Sequence, residues 1–154
     1  MAEREEPIDI GLTLAGRGDL MPDAVFVSRT ILFGDCDPAG VVYTPRFSHF
    51  AVEAIGVALD RWVGGPGLRA VMSFNILPPV RAMSIELLAL VTWDDEMIIK
   101  VGVARLGEHS FTFLVEGFIG EGVLAFTANV THVCVSPESK EVVPIPAPLR
   151  ALLS

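Results

Sequence analysis

The chain reads as an α+β domain in which an antiparallel sheet curls around one long helix, and three features predict it. A strand-like run, Ala24–Phe33, is rich in β-branched and aromatic residues. A stretch of helical period follows at Pro45–Val63. Beyond the Pro-rich connection Leu77-Pro78-Pro79, the hydrophobic period drops from about 3.6 to about 2 residues over four runs joined by short turn-forming links.

Each element has a local reason. Val25, Phe26, Val27, Thr30, Ile31 and Leu32 favour a strand. Pro45 suits the first turn of a helix, where its missing N–H would be unpaired anyway, and Gly64-Gly65-Pro66-Gly67 stops the helix after Val63. The helix is apolar around most of its circumference (Phe47, Phe50, Ala51, Ala54, Ile55, Ala58, Leu59, Trp62), as expected of an enclosed one. Strands are expected at Arg81–Thr92, Glu96–Leu106, Ser110–Ile119 and Val123–Ser136. The links Trp93-Asp94-Asp95, Gly107-Glu108-His109 and Gly120-Glu121-Gly122 read as hairpin turns. A last helical turn is expected at Leu149–Leu153. The run Leu87-Leu88-Ala89-Leu90-Val91 is apolar on both faces, which predicts a second cover over the sheet, such as another subunit.

With 154 residues, 51% of them hydrophobic, the chain holds one well-packed domain and is not a disordered segment. Mean hydropathy is +0.54, so an apolar interface between subunits is expected. The net charge of −8 argues against a nucleic-acid partner, and no stretch approaches the length of a membrane span. Half of that charge lies in residues 1–23, where six acids meet two arginines. This segment reads as an acidic mobile arm, with a short strand at Ile8–Leu14, before a folded domain at 24–154. Met1–Pro7 lacks the basic and apolar regions of an export signal. Cys36 and Cys134 are therefore expected as free thiols in the cytoplasm.

The loop Asp35-Cys36-Asp37-Pro38-Ala39-Gly40, between strand and helix, has two readings. Asp-Pro-Ala-Gly is a good turn in its own right. Equally, two carboxylates two residues apart resist joint burial, so one is expected to face a cavity beside the free N–H groups of a helix start. A carboxylate with such donors has the parts for acyl transfer.

The run Phe33-Gly34-Asp35-Cys36-Asp37-Pro38-Ala39-Gly40-Val41-Val42-Tyr43, followed by Pro45, resembles the signature of the 4-hydroxybenzoyl-CoA thioesterase family of hotdog-fold enzymes. Weaker similarity extends through the helix, Asp94-Asp95, Arg105-Leu106-Gly107, His132-Val133 and Pro144-Ile145-Pro146, covering residues 24–150. The resemblance implies a hotdog fold, a five-stranded antiparallel sheet wrapped around the helix, with subunits paired into dimers and commonly tetramers. It implies hydrolysis of an acyl-CoA, with CoA as part of the substrate and no other cofactor. Asp37 would be the catalytic carboxylate, acting as nucleophile or as general base. Backbone groups at Tyr43, Thr44 and Pro45, with Leu77 of a partner subunit, would hold the thioester oxygen. Gly40 and Val41 would line the substrate; read from the residues themselves, Phe47 is a candidate wall of the acyl pocket, and Glu53, facing inward from the helix, is a candidate beside the site. Arg81, Arg105 and His109 would meet CoA phosphates, although an acidic protein attracts CoA weakly at long range. Thr44 departs from the aromatic or histidine that the best-known member carries there.

Three alternatives accompany that reading. A hydratase or dehydratase would use the helix pair His49 and Glu53. A binding module would hold acyl-CoA without turnover. A metal edge at His132 and Cys134 lacks further ligands, and no metal is expected. Cys36 reads as a small buried thiol and not as a nucleophile.

Overall fold

Phe47, Phe50, Ala51, Ala54, Ile55, Ala58 and Leu59 recur at i, i+3, i+4, i+7 spacing and line the buried face of the long helix, α1 (Arg46–Val63). In the computed structural model, which describes residues 22–154, everything else packs around that face. Pro45 stands at the N-cap with φ −62°. Gly64 ends the helix in the left-handed region (φ 75°), donating its N–H to Asp60 O at 2.9 Å. Both ends lie within one residue of the positions the sequence predicts.

The sheet comprises β1 (Val25–Thr30), β2 (Val80–Leu87), β3 (Glu96–Leu106), β4 (Ser110–Ile119) and β5 (Val123–Val133). Its order is β1-β3-β4-β5-β2, with every pair antiparallel. This is the hotdog arrangement. Alternation puts Met97, Ile99, Val101 and Val103 of β3, Phe111, Phe113 and Val115 of β4, and Phe126, Ala128 and Val130 of β5 in the core with α1. Phe47 meets Phe126 edge-on at 5.2 Å between ring centres. A fully buried large side chain contributes about 1.5–3 kcal/mol. Phe50, Phe113 and Phe126 therefore each outweigh an exposed ion pair, at about 0–1 kcal/mol.

Several sequence expectations need correction. The Trp93-Asp94-Asp95 link is not a hairpin between β2 and β3, because β2 pairs with β5 at the far edge. Instead the Asp94 N–H donates to Ile31 O and the Ile31 N–H to Asp95 O, tying this link to the end of β1. Strand β2 ends at Leu87, not Thr92. Leu88 and Ala89 both donate to Ala125 O, and Val91 O accepts the Val42 N–H. β1 is shorter than Ala24–Phe33, since Phe33–Asp35 winds into a 3₁₀ turn. β5 stops at Val133, after which Val135 bridges to Leu77 and Val142.

A short helix not anticipated from sequence, α2 (Gly67–Ser73), follows α1, and Asp60 Oδ1 accepts its Gly67 N–H at 2.7 Å. The last helix, α3 (Ala147–Leu152), begins two residues before the expected turn. The outer face of the sheet is partly polar: Thr112 and Thr131 hydroxyls meet at 2.8 Å, and Lys100 stands opposite Glu116 in the register. The predicted two-faced apolar strand at 87–91 is thus a strand end plus a diverted segment. The expected arm at 1–23, with its strand at Ile8–Leu14, falls outside the described residues except for Pro22 and Asp23; Asp23 O accepts the Trp62 indole N–H at 2.9 Å.

Candidate active site

The two acids of the loop have opposite environments. Asp35 is only 2% exposed. Its Oδ1 accepts Arg46 Nε at 3.0 Å and Nη2 at 2.7 Å, and Arg29 Nη2 at 3.2 Å. Its Oδ2 accepts the Leu32 N–H at 2.9 Å. Burial alone would push this carboxyl up. The Leu32 N–H and the guanidiniums of Arg46 and Arg29 outweigh it and hold the group below its ordinary value. Arg29 is itself braced, with its guanidinium 4.4 Å from the centre of the Phe50 ring and Nη1 2.8 Å from Glu53 Oε2.

Asp37 is half-buried, and among the described residues no cation pairs with it. Its own turn aims it: Oδ1 accepts the Ala39 N–H at 2.8 Å, the Asp37 N–H donates to Val41 O, and Gly40 N–H donates to Asp37 O. Gly40 has φ 81°, which favours glycine there. Val41 bridges to Thr92, so Gly40 and Val41 build the turn with their backbones. A miniature ladder continues from Cys36 opposite Val42 to the Tyr43 N–H, which donates to Asp35 O at 3.0 Å. Asp37 and the start of α1 are thereby carried on one small hairpin.

Donors at that helix start are fewer than expected. The Tyr43 N–H is spent on Asp35 O, Pro45 has none, and Arg46 donates back to Tyr43 O at 2.8 Å. Thr44 keeps a backbone N–H with no partner among the described residues. Leu77 offers none: its N–H donates to Val135 O at 2.9 Å, and Pro78 and Pro79 lack the group.

Other candidates separate clearly. Phe47 is a core residue, 4% exposed between Phe50 and Phe126, which corrects its reading as a substrate contact. Glu53 is paired with Arg29 and lines a shallow cavity of about 210 Å³ with Phe50 and Val57. His49 is exposed, and no ion pair joins it to Glu53. The thiol of Cys36 is pushed up by burial and by the neighbouring Asp35, Asp37 and Asp95 charges, against a nucleophilic role. Burial pushes the Cys134 thiol up as well. His132 stacks on Phe111 at 5.3 Å and hydrogen-bonds Pro78 O through Nδ1 at 2.9 Å; burial lowers its pKa. Among the described residues no cluster of three potential metal ligands exists. Arg29 was not anticipated, yet it had a signal: an arginine at the inward period of β1, after Val25 and Val27.

Arg81, Arg105 and His109 come together at one groove. With Glu108, Ser110 and Val142 they line an open groove of about 660 Å³, and Arg150 Nη2 props its rim at Gly107 O, 2.6 Å away. This groove is at the Leu106 end of β3, whereas the Asp37 loop is tied to the 92–95 link at the Glu96 end. At about 3.3 Å per residue the two lie roughly 30 Å apart along the strand.

Comparison with known proteins agrees with this architecture. A family model described as the thioesterase-like superfamily matches residues 31–153. The chain is 30% identical over 126 residues to a 1,4-dihydroxy-2-naphthoyl-CoA hydrolase of Thermosynechococcus vestitus, covering 81% of this chain and 85% of that protein. A thioesterase superfamily structure from Jannaschia sp. CCS1 superposes with a TM-score of 0.77 at 31% identity, covering 86% and 93% of the two chains. A 4-hydroxybenzoyl CoA thioesterase mutant complexed with 4-hydroxybenzoyl CoA shares the fold, with a TM-score of 0.75 at 22% identity over 85% and 99%.

Proposed function

Since the chain belongs to the thioesterase-like superfamily of hotdog-fold thioester hydrolases, we propose that it hydrolyses an aryl-CoA thioester to the free acid and coenzyme A, with Asp37 as the reacting carboxylate. One observation carries the choice of residue: Asp35 is consumed by two arginines, while Asp37 is aimed by its own turn and meets no cation among the described residues. As nucleophile, Asp37 attacks the thioester carbonyl, the CoA thiolate leaves, and water hydrolyses the resulting anhydride. As general base, it takes a proton from the attacking water. In either route the Thr44 N–H, at the positive end of α1, stabilises charge on the carbonyl oxygen.

An aryl group fits the surroundings of the loop. Phe33, Tyr43 and Trp93 are exposed there, with the Phe33 and Trp93 rings edge-on at 6.3 Å. The relatives named for naphthoyl and benzoyl thioesters favour the same class.

The acting unit is a homodimer. One protomer holds Asp37 and the arginine groove at opposite ends, yet β2, a sheet edge among the described residues, connects them. Its Val80 end carries Arg81. Its Leu87 end runs through Leu88–Thr92 to the Asp37 loop, where Val41 bridges to Thr92. Antiparallel pairing of two β2 edges about a two-fold axis sets the groove of one copy beside Asp37 of the other. CoA phosphates would then meet Arg81, Arg105 and His109 of the partner copy, and no further cofactor is invoked. A cytoplasmic setting with free thiols suits the chain, none of whose described helices is long and apolar enough to cross a membrane.

The test is a panel of aryl- and alkyl-CoAs assayed for free thiol. Aryl-CoAs should give the highest kcat/KM. Absence of thiol release, with hydration of an enoyl-CoA instead, would overturn the proposal.

A further inference from the structure

Asp35 touches both halves of the candidate site while facing neither the groove nor solvent. Two residues before Asp37, its carbonyl accepts the Tyr43 N–H, the residue just before Thr44. Its carboxylate grips Arg46, two residues beyond Thr44, through both Nε and Nη2 on one oxygen. The other oxygen holds Leu32 N–H, where the 3₁₀ turn begins. Thr44, whose N–H has no partner among the described residues, therefore sits between two residues that are each fastened to Asp35. Arg29 extends the clamp, since one guanidinium binds Asp35 through Nη2 and Glu53 of α1 through Nη1, over the Phe50 ring. The cluster balances two guanidiniums against two carboxylates.

We propose that Asp35 is a positioning residue: through Arg46 and Arg29 it fixes the Asp37 carboxylate and the Thr44 N–H relative to one another, so that both address one thioester carbonyl. This rests on the reading that Asp37 and Thr44 flank the substrate. Its expected signature is loss of turnover without loss of substrate binding, because none of the clamp residues lines the CoA groove.

The experiment measures thiol release from 4-hydroxybenzoyl-CoA by Asp35→Asn, Arg46→Gln, Arg46→Lys, the double variant Asp35→Asn/Arg46→Gln, and Asp37→Asn, each assayed well below its own Tm. Asp35→Asn should lower kcat about 10- to 100-fold with KM within about threefold. The double variant should be no worse than either single change, and Arg46→Lys should recover part of what Arg46→Gln loses. If Asp35→Asn does not fold, the Arg46 pair decides by the same kcat criterion. A folded Asp35→Asn, or failing that Arg46→Gln, within about twofold of wild-type kcat, beside an Asp37→Asn that has lost turnover, overturns the positioning role alone. Unchanged turnover in Asp37→Asn overturns the underlying reading instead.

Discussion

Asp37 Oδ1 accepts the N–H of Ala39 at 2.8 Å, so the turn that carries the acid also aims it. That turn depends on Gly40 at φ 81°, where an added Cβ meets open space but the backbone is strained. Gly40→Ala should cost about 1–2 kcal/mol of stability and lower kcat as well. Gly64→Ala, at φ 75° beyond the end of α1, serves as control. It should lose similar stability with kcat unchanged, read by denaturant titration and thiol release.

Packing between α1 and α2 gives a purely structural prediction. A Cβ on Gly67 would collide with the Leu59 carbonyl carbon and lie 2.6 Å from the Asp60 nitrogen, and backbone cannot step aside cheaply. Gly67→Ala should destabilise by about 1–3 kcal/mol or more. Gly65→Ala, with nothing within 4 Å, should change stability far less.

Two groups contribute to the acid limb of stability. Burial lowers the pKa of His132 below its ordinary 6.5, although its hydrogen bond to Pro78 O opposes this. As pH falls below 6.5 the unfolded chain takes up a proton the folded chain refuses, and stability declines until the folded group also titrates. Asp35 is depressed below 3.8 when folded, despite its burial, so its contribution is present above that value and is lost as pH falls through the lower folded pKa. Denaturant titrations should show a first bend below pH 6.5 that His132→Gln reduces. The stability gap between wild type and Asp35→Asn should narrow below pH 3.8.

A site shared between two copies predicts complementation. Neither Asp37→Asn nor the double variant Arg81→Ala/Arg105→Ala should turn over well alone. When the two are unfolded and refolded together, random pairing makes half the dimers mixed, each with one intact site, restoring roughly a quarter of wild-type activity. Failure to recover activity, with mixed dimers present, would place the groove and Asp37 outside a common site.

The sequence made some of this legible and hid the rest for physical reasons. Pro45 and Gly64 punctuate α1 through their own backbone chemistry, so the helix limits were readable. The inward alternation of β3 and β4 was readable for the same local reason. The 93–95 link misled, because strand order depends on β2 finding β5, a pairing no local turn encodes. The seven residues of α2 are too few to show a period, and Gly67 stands there for a contact with Leu59. Spacing predicted that one acid of the loop is free but could not say which. Arg29, folding back from β1, distinguishes them. Leu77 lost its candidate donor to Val135, a partner far along the chain.

The most direct test of the account replaces Asp37 by Asn and follows free thiol released from an aryl-CoA, with circular dichroism checking the fold. With Asp37 as the reacting carboxylate, kcat should fall at least about 10²-fold below wild type with the fold retained. A folded variant whose kcat falls less than about tenfold would contradict that role.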